Sequence, residues 1–456
     1  MILERMSRTR LAVAAVAVAI GWSAPVRAQC NPEEIAKFIT SDPAQDDLMG
    51  VTVDVYDDTA VVGAYQDDHE GGSNAGSAYV FVRSGGVWTL QAELIPSDAA
   101  PGDLFGKGVA IQGDTVAIGA TGNDHAGGTD AGAVYVFVRS GTVWTQDSKL
   151  TASDALAGDY FGEGIAIDGD TLIIGSEHDE PGGATDAGAV YVFVRFGDVW
   201  TEQAKLTASD PDAGDSFGHS VAISGDTALI DAYRDDHAGG VDAGAAYVFV
   251  RSGGVWSQQA KLIAPDAAAG DRFGHSVAIS GDLAIIGAYR DDNAAGIDAG
   301  AAHVFTRSGQ TWTQAAKLVS SDAAPGDGFG FWIALHVDTA LISARFDDHS
   351  GGEDAGAVYV FARSADVWTE QGKLTASDGA GGDEFGTFVA LHDDDALIGA
   401  WHDDHSGAAN AGSAYLFDLN CQATVPTLSD WGMVAMTLLV LTAGTLVYAR
   451  RRQAQA

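Results

Sequence analysis

The sequence predicts an all-β fold: a seven-bladed β-propeller of four-stranded antiparallel blades, closed by its own N-terminal strand. Three observations carry that expectation. First, a segment typified by residues 217–266 recurs with no change of length. Its Trp falls at Trp88, Trp144, Trp200, Trp256, Trp312 and Trp368. The residue before its Gly is Met49, Phe105, Phe161, Phe217, Phe273, Phe329 and Phe385, and both series step by 56. A fixed period of this size marks stacked or radially repeated units that hide apolar faces against their neighbours. Second, each unit holds four strand-like runs and no helical pattern. Third, the array begins on one strand type and ends on the preceding one, as a closed ring requires.

In the fourth unit the runs are residues 220–224, 227–232, 245–251 and 255–262, punctuated by Gly, Asp and Ser. The second and third are apolar on both faces, as in a sheet sandwiched between two others. Four antiparallel strands repeated radially make a propeller, and seven blades lie within the usual range. At the N-terminus, residues 36–42 align with 92–98, which form a fourth strand and its exit; the array stops after 413–419, a third strand with nothing following. The leading strand therefore completes the last blade and leaves no sheet edge unpaired. A linear solenoid would need capping repeats, and none is visible.

Composition fits one large body over residues 30–421. Acidic residues number 63 against 24 basic ones, a formal net charge of −39. Such a surface repels nucleic acid and anionic lipid, which excludes nucleic acid as a partner class and leaves cations and basic ligands open. Hydrophobic residues make up 46% and fall in periodic runs, which argues for a packed core over disorder.

The ends carry addresses. Arg5, Arg8 and Arg10 precede an apolar run at 11–20, and Val26-Arg27-Ala28 resembles a cleavage site, so residues 1–28 read as an export signal peptide. Residues 422–430 form a linker and motif. Residues 431–449 lack charge and are long enough for a transmembrane helix, with a basic cytoplasmic tail at 450–456. Cys30 and Cys421 are the only cysteines; moved by whole repeats they fall on 86 and 85, the turn between third and fourth strands. In an exported chain their pairing is the economical reading. A disulfide across so long a loop would stabilise by at most roughly 5–6 kcal/mol in the chain-entropy account.

Two stretches carry a resemblance to known families. Val425, Pro426, Thr427, Leu428, Ser429, Asp430, Trp431 and Gly432, followed by an apolar stretch and Arg450, Arg451 and Arg452, resemble the IPTL-CTERM sorting signal of Gram-negative bacteria, departing at Val425 for Ile and Asp430 for Glu. That resemblance implies transient inner-membrane anchoring, recognition by an exosortase-like transpeptidase, and delivery to the envelope or cell surface. A permanent single-pass anchor is the alternative. Phe217-Gly218, Gly287-Ala288-Tyr289 and residues 301–305 resemble the FG-GAP repeat, which builds the seven-bladed propeller of integrin α-chains and of many bacterial surface proteins. Integrin-type units hold calcium in a DxDxDG loop between the first two strands. Here that place holds short turns such as Ser224-Gly225-Asp226-Thr227, so that calcium site does not carry over.

Strand direction sorts the charge. The fourth-to-first and second-to-third loops emerge on one face and carry Asp in every unit, while Arg83, Arg139, Arg195, Arg251, Arg307 and Arg363 lie at the other face. Asp235, Asp236 and Asp242, with Asp347, Asp348 and Asp354, are the clearest acid clusters. Asp before Gly commonly caps turns by accepting backbone N–H groups; clustered carboxylates could alternatively hold Ca²⁺, which wants six to eight oxygens. His69, His125, His237, His349 and His405 occur one per blade, too dispersed to read as a transition-metal site. Asp58 and its repeats read as turn residues, and the repeated aromatics as interblade core. Trp401, His402, Arg345 and Glu177 break the repeat in the second-to-third loops and are the unit-specific candidates. No HExxH, P-loop or GxSxG motif occurs, and no pair of acids stands apart from the repeat, so the expected role is non-catalytic: an exported binding or adhesion module with a protein or glycan ligand. A structural envelope or matrix component and a carbohydrate-active propeller enzyme are the alternatives.

Overall fold

Short Gly- and Asp-bearing turns force each 56-residue unit to double back three times, and the apolar runs between them pair into one sheet. In the computed structural model residues 28–40, 42–420 and 422–423 are described. In the fourth blade the strands are Val221–Ser224, Thr227–Ala232, Ala245–Ser252 and Val255–Leu262, hydrogen-bonded in that order, within one or two residues of the sequence expectation. Blades one to six span residues 53–94, 105–150, 165–206, 221–262, 277–318 and 333–374. The seventh consists of Val389–His392, Asp395–Ala400 and Ser413–Asp418, with Glu33–Phe38 as its outer strand. Glu33 pairs with Asp418 and Phe38 with Ala414, so the N-terminal strand does close the ring. First strands of successive blades pack side by side around the axis, and the seventh meets the first. Among the described residues the one helical turn is the 3₁₀ segment Pro181–Gly183, and no helix is long and apolar enough to cross a membrane.

The core lies between blades. Phe217 packs with Leu206, Val190, Ile230 and Tyr247 in a cluster drawn from two adjacent blades. In the recurring FG step Phe fills the interblade space, and Gly permits contact. A Cβ placed on Gly175 of the third blade would overlap the carbonyl oxygen of Gly218 in the fourth, so both positions want glycine. Registers add a bulge. In the fourth strands of blades one to five and seven the pairing slips by one residue. The extra residue is re-aimed outward, as bulges do: Gln91, Gln203 and Gln259 each accept the indole N–H of the next blade's Trp144, Trp256 and Trp312 at 2.9–3.0 Å. Where the bulged residue is Ile35, Trp88 Nε1 has no partner.

Residues Cys30–Arg363 and Trp368–Asn420 form one compact unit; outside it, Ala28–Gln29 pairs antiparallel with Gln422–Ala423. The rest of the expected signal peptide, the sorting motif at Val425–Gly432, the helix at 431–449 and the tail with Arg450–Arg452 lie outside the described residues. So does Cys421; Cys30 is buried and is not a free thiol.

Candidate functional site

The acidic rim was the site the sequence favoured, and its carboxylates are already engaged. Asp235, 2% exposed, accepts from Lys261 Nζ and from Tyr247 Oη, each at 2.7 Å. Asp347 accepts from Lys373 Nζ and Tyr359 Oη, each at 2.8 Å. The Lys comes from the fourth strand and the Tyr from the third, so two strands of one sheet hold the loops on both sides. Asp236 Oδ1 accepts the backbone N–H of Asp242 at 2.7 Å, and Asp348 Oδ1 that of Asp354 at 2.9 Å. Asp242 and Asp354 themselves sit at φ of 51°, a left-handed conformation that Asp tolerates better than most residues. The second Asp series caps its own loop: Asp215 Oδ2 takes the Asp212 N–H and Asp271 Oδ2 that of Ala268. Burial pushes Asp215 up to about 6.

The loop histidines are staples. His237 Nε2 donates to Gly244 O at 3.0 Å while its Nδ1 accepts from Gly239 N at 2.9 Å. His69, His125 and His349 repeat both bonds. In the fifth blade Asn293 makes the same pair with its amide, which shows that loop geometry, not imidazole chemistry, selects the residue. On the other face the Arg series is neutralised by the turn Asp series, as in Arg251 Nε to Asp226 Oδ1 at 2.6 Å, and bridges to the preceding blade through Thr171 Oγ1 at 2.9 Å.

The departures from sevenfold repetition gather elsewhere, at one mouth of the central channel. Position 51 and its repeats read Val51, Lys107, Glu163, His219, His275, Phe331 and Thr387; position 65 and its repeats read Tyr65, Thr121, Glu177, Tyr233, Tyr289, Arg345 and Trp401. The first set follows the FG step and the second comes directly after the second strand, so both emerge on the acid-loop face. A cavity of about 350 Å³ opens here, walled deeper down by Val53, Val109, Ile165, Val221, Val277 and other aliphatics. Its mouth has two unlike sides.

Blades two to four supply the acidic and imidazole side. Lys107 meets Glu163 at 3.4 Å and lies over the Tyr65 ring. Glu177 Oε1 holds His178 Nε2 at 3.3 Å; the Glu177 carboxylate pushes His178 up to about 9. Asp231 replaces the glycine that five blades carry. It is fully buried, and burial pushes it well above the usual carboxylate range. Its Oδ1 accepts from Ser220 N at 2.9 Å, and its Oδ2 lies 3.8 Å from His219 Nδ1. Blades five to seven supply the aromatic and guanidinium side. The Arg345 guanidinium lies 3.9 Å from the Phe331 ring centre and 4.4 Å from that of Phe346, and reaches Glu384 at 3.5 Å. Trp401 Nε1 donates to Glu384 at 3.0 Å, and the Trp332 ring lies tilted against Phe388, with ring centres 3.9 Å apart. Between the sides, His219 and His275 rings lie 4.9 Å apart, and burial drives His275 well below the usual imidazole value.

Five polar atoms around this mouth are buried with no partner: Glu177 Oε2, His219 Nδ1, Asp231 Oδ2, Arg272 Nε and Arg345 Nε. Unpaired buried polar atoms cost about 1–3 kcal/mol each; the rim has its own oxygens without a hydrogen bond at Asp235 Oδ1, Asp291 Oδ1, Asp347 Oδ1 and Asp403 Oδ2, but at the mouth they fall on side chains that break the repeat. Of the sequence candidates, Glu177, Arg345, Trp401 and His402 belong to it. The expectation that no acids stand apart from the repeat is corrected: Glu163, Glu177, Asp231 and Glu384 do. Aligning the units and asking which columns vary finds them; searching for catalytic motifs does not. Lower in the channel, Asp54 stands where six blades carry Ala, accepts from Ile111 N and Val55 N, and is pushed up to about 7 by burial.

Seven segments, residues 32–81, 88–137, 144–193, 200–249, 256–305, 312–361 and 368–417, match the FG-GAP repeat. The chain belongs to the FG-GAP repeat family. Each match begins near the outer strand of one blade and ends on the third strand of the next, so the family unit straddles the interblade core rather than a single sheet. FG-GAP propellers are typically binding or adhesion modules, a function class and not an activity. No curated protein matches the chain.

Proposed function

We propose that this FG-GAP propeller is an exported, non-catalytic binding module that seats a glycan residue in the mouth of its central channel. The carrying observation is the convergence of repeat-breaking residues and unpartnered buried polar atoms on that one mouth. A sugar matches both sides. Its hydroxyls donate to Glu177 and His219, the latter positioned by the enclosed Asp231, and accept from Arg272 and Arg345, and its apolar face lies on Trp332. The volume suits one sugar unit. Export, exosortase-like processing of the C-terminal signal, residence at the bacterial envelope and a Cys30–Cys421 bond belong to the same proposal, and two thiols alkylated without reduction would remove the bond.

The test is a glycan array on the full chain, with whole-cell adhesion alongside. Arg345→Tyr and Glu177→Thr, each placing a residue found at the same position in other blades, should abolish the array signal with the fold retained. A signal that survives both variants would move the ligand off the mouth. An empty array with adhesion that depends on these residues would indicate a protein ligand there.

A further inference from the structure

The fifth blade departs from its sisters at a second place, on the rim, where three changes coincide. In the third, fourth and sixth blades a Tyr hydroxyl bridges two carboxylates: Tyr191 reaches Asp154 and Asp179, each at 2.6 Å, and Tyr247 and Tyr359 do the same. In the fifth blade that residue is His303. Its ring is shorter, and Nε2 stops 3.9 Å from Asp291 Oδ2, too far for a hydrogen bond. His303 is fully buried, yet neither ring nitrogen has a hydrogen-bond partner, which sets this blade apart; Asp291 Oδ1 lacks one as well, as do Asp235 Oδ1 and Asp347 Oδ1 in the sister blades.

The second change is Pro265. Sister units carry Ser there, whose N–H is held by the fourth-strand amide or carboxylate, as Ser209 N is by Gln258 Oε1 at 3.0 Å and Ser321 N by Glu370 at 2.9 Å. Proline has no N–H to offer, so Gln314 Oε1 is left buried and unpartnered beside the imidazole it acts on. The third change follows from the first. Lys37, Lys149, Lys205, Lys261 and Lys373 each lie over a Tyr ring at 4.9–5.2 Å. Lys317 has the same two aspartates, Asp266 and Asp291, each at 2.7 Å, but His303 in place of the ring. It has lost the aromatic face that helps to hold its sisters, and its side chain is a quarter exposed.

We infer that His303, Asp266 and Asp291 form a site for a divalent transition metal of the zinc class, in which the ion displaces the Lys317 ammonium. The ligand atoms of the three residues lie within 4.8 Å of one another, a spread that small side-chain shifts bring to metal-bonding distance. One imidazole and two carboxylates are a zinc-type donor set. Gln314 Oε1 is the acceptor that a metal-bound imidazole needs for its other N–H. Asp266, half exposed at the rim, gives the ion its entry.

The experiment is a titration of the untagged full chain with Zn²⁺ by calorimetry, repeated with Co²⁺ for its absorption spectrum. The wild type should take up one equivalent at this site, with a Co²⁺ spectrum showing nitrogen and oxygen ligation. His303→Tyr restores the sister geometry and should lose that equivalent, whereas Lys317→Met removes the internal competitor and should tighten binding at least tenfold. His392→Gln, which disrupts the exposed Asp57–His392–Asp393 group on the other face, should leave the equivalent in place. No uptake by the wild type, or an equivalent that persists in His303→Tyr, would overturn the assignment.

Discussion

The rim and the channel mouth are built from the same seven units and use charge in opposite ways. On the rim, Asp, Lys and Tyr answer one another blade after blade, so that a chain of net charge −39 spends much of its acid on internal bonds. At the mouth, charges differ from blade to blade and several are left unanswered. The difference teaches that repetition reports architecture, while variation among aligned units reports function.

The largest effect should come from breaking the rim. Lys261→Met leaves Asp210 and the buried Asp235 without their cation and should cost about 2–4 kcal/mol in urea denaturation. Lys149→Met should cost visibly less, because Asn123 replaces the second aspartate in that blade. Equal losses would mean that the buried carboxylate does not set the cost. A smaller effect tests the channel. The folded chain raises Asp54 from 3.8 to about 7, so it keeps a proton that the unfolded chain has released. Stability therefore falls as pH rises through that window. Asp54→Ala, the residue of six sister blades, should remove this dependence, so that the variant gains stability over the wild type as pH rises through that window. A pH profile parallel to the wild type's would refute the assignment. Smaller still, Asp231→Gly should raise stability by about 1 kcal/mol while weakening the ligand, the trade expected of a residue kept for binding; a loss of stability would make Asp231 structural. Smallest is calcium: with rim carboxylates held by Lys, Tyr and backbone N–H groups, the melting temperature in excess Ca²⁺ should match that in chelator.

Strand order, closure by residues 33–38 and blade number were legible because they rest on periodicity and on counting hairpins, both local properties. The rim aspartates were legible as loop residues, but their partners were not. Lys261 lies 26 residues from Asp235 and 51 from Asp210, and only the folded sheet aligns them. The mouth was legible in part. Glu177, Arg345, Trp401 and His402 stood out as misfits in one loop, whereas Glu163, His219 and His275 sit one residue after the FG step, where a strand is about to begin and attention falls on the apolar residues that follow. Asp231 was hidden inside TALIDA, an apolar strand in which a buried carboxylate is costly and therefore unexpected.

The outer strand of the seventh blade has a consequence in time. Glu33–Phe38 leaves the ribosome before any other part of the ring, yet its place beside Ser413–Asp418 does not exist until nearly four hundred residues later. Until then one partner is a loose ribbon and the other an open edge. The last pairing joins the most distant segments, so it should be the slow step of maturation and the moment at which two newly made chains can exchange strands by mistake.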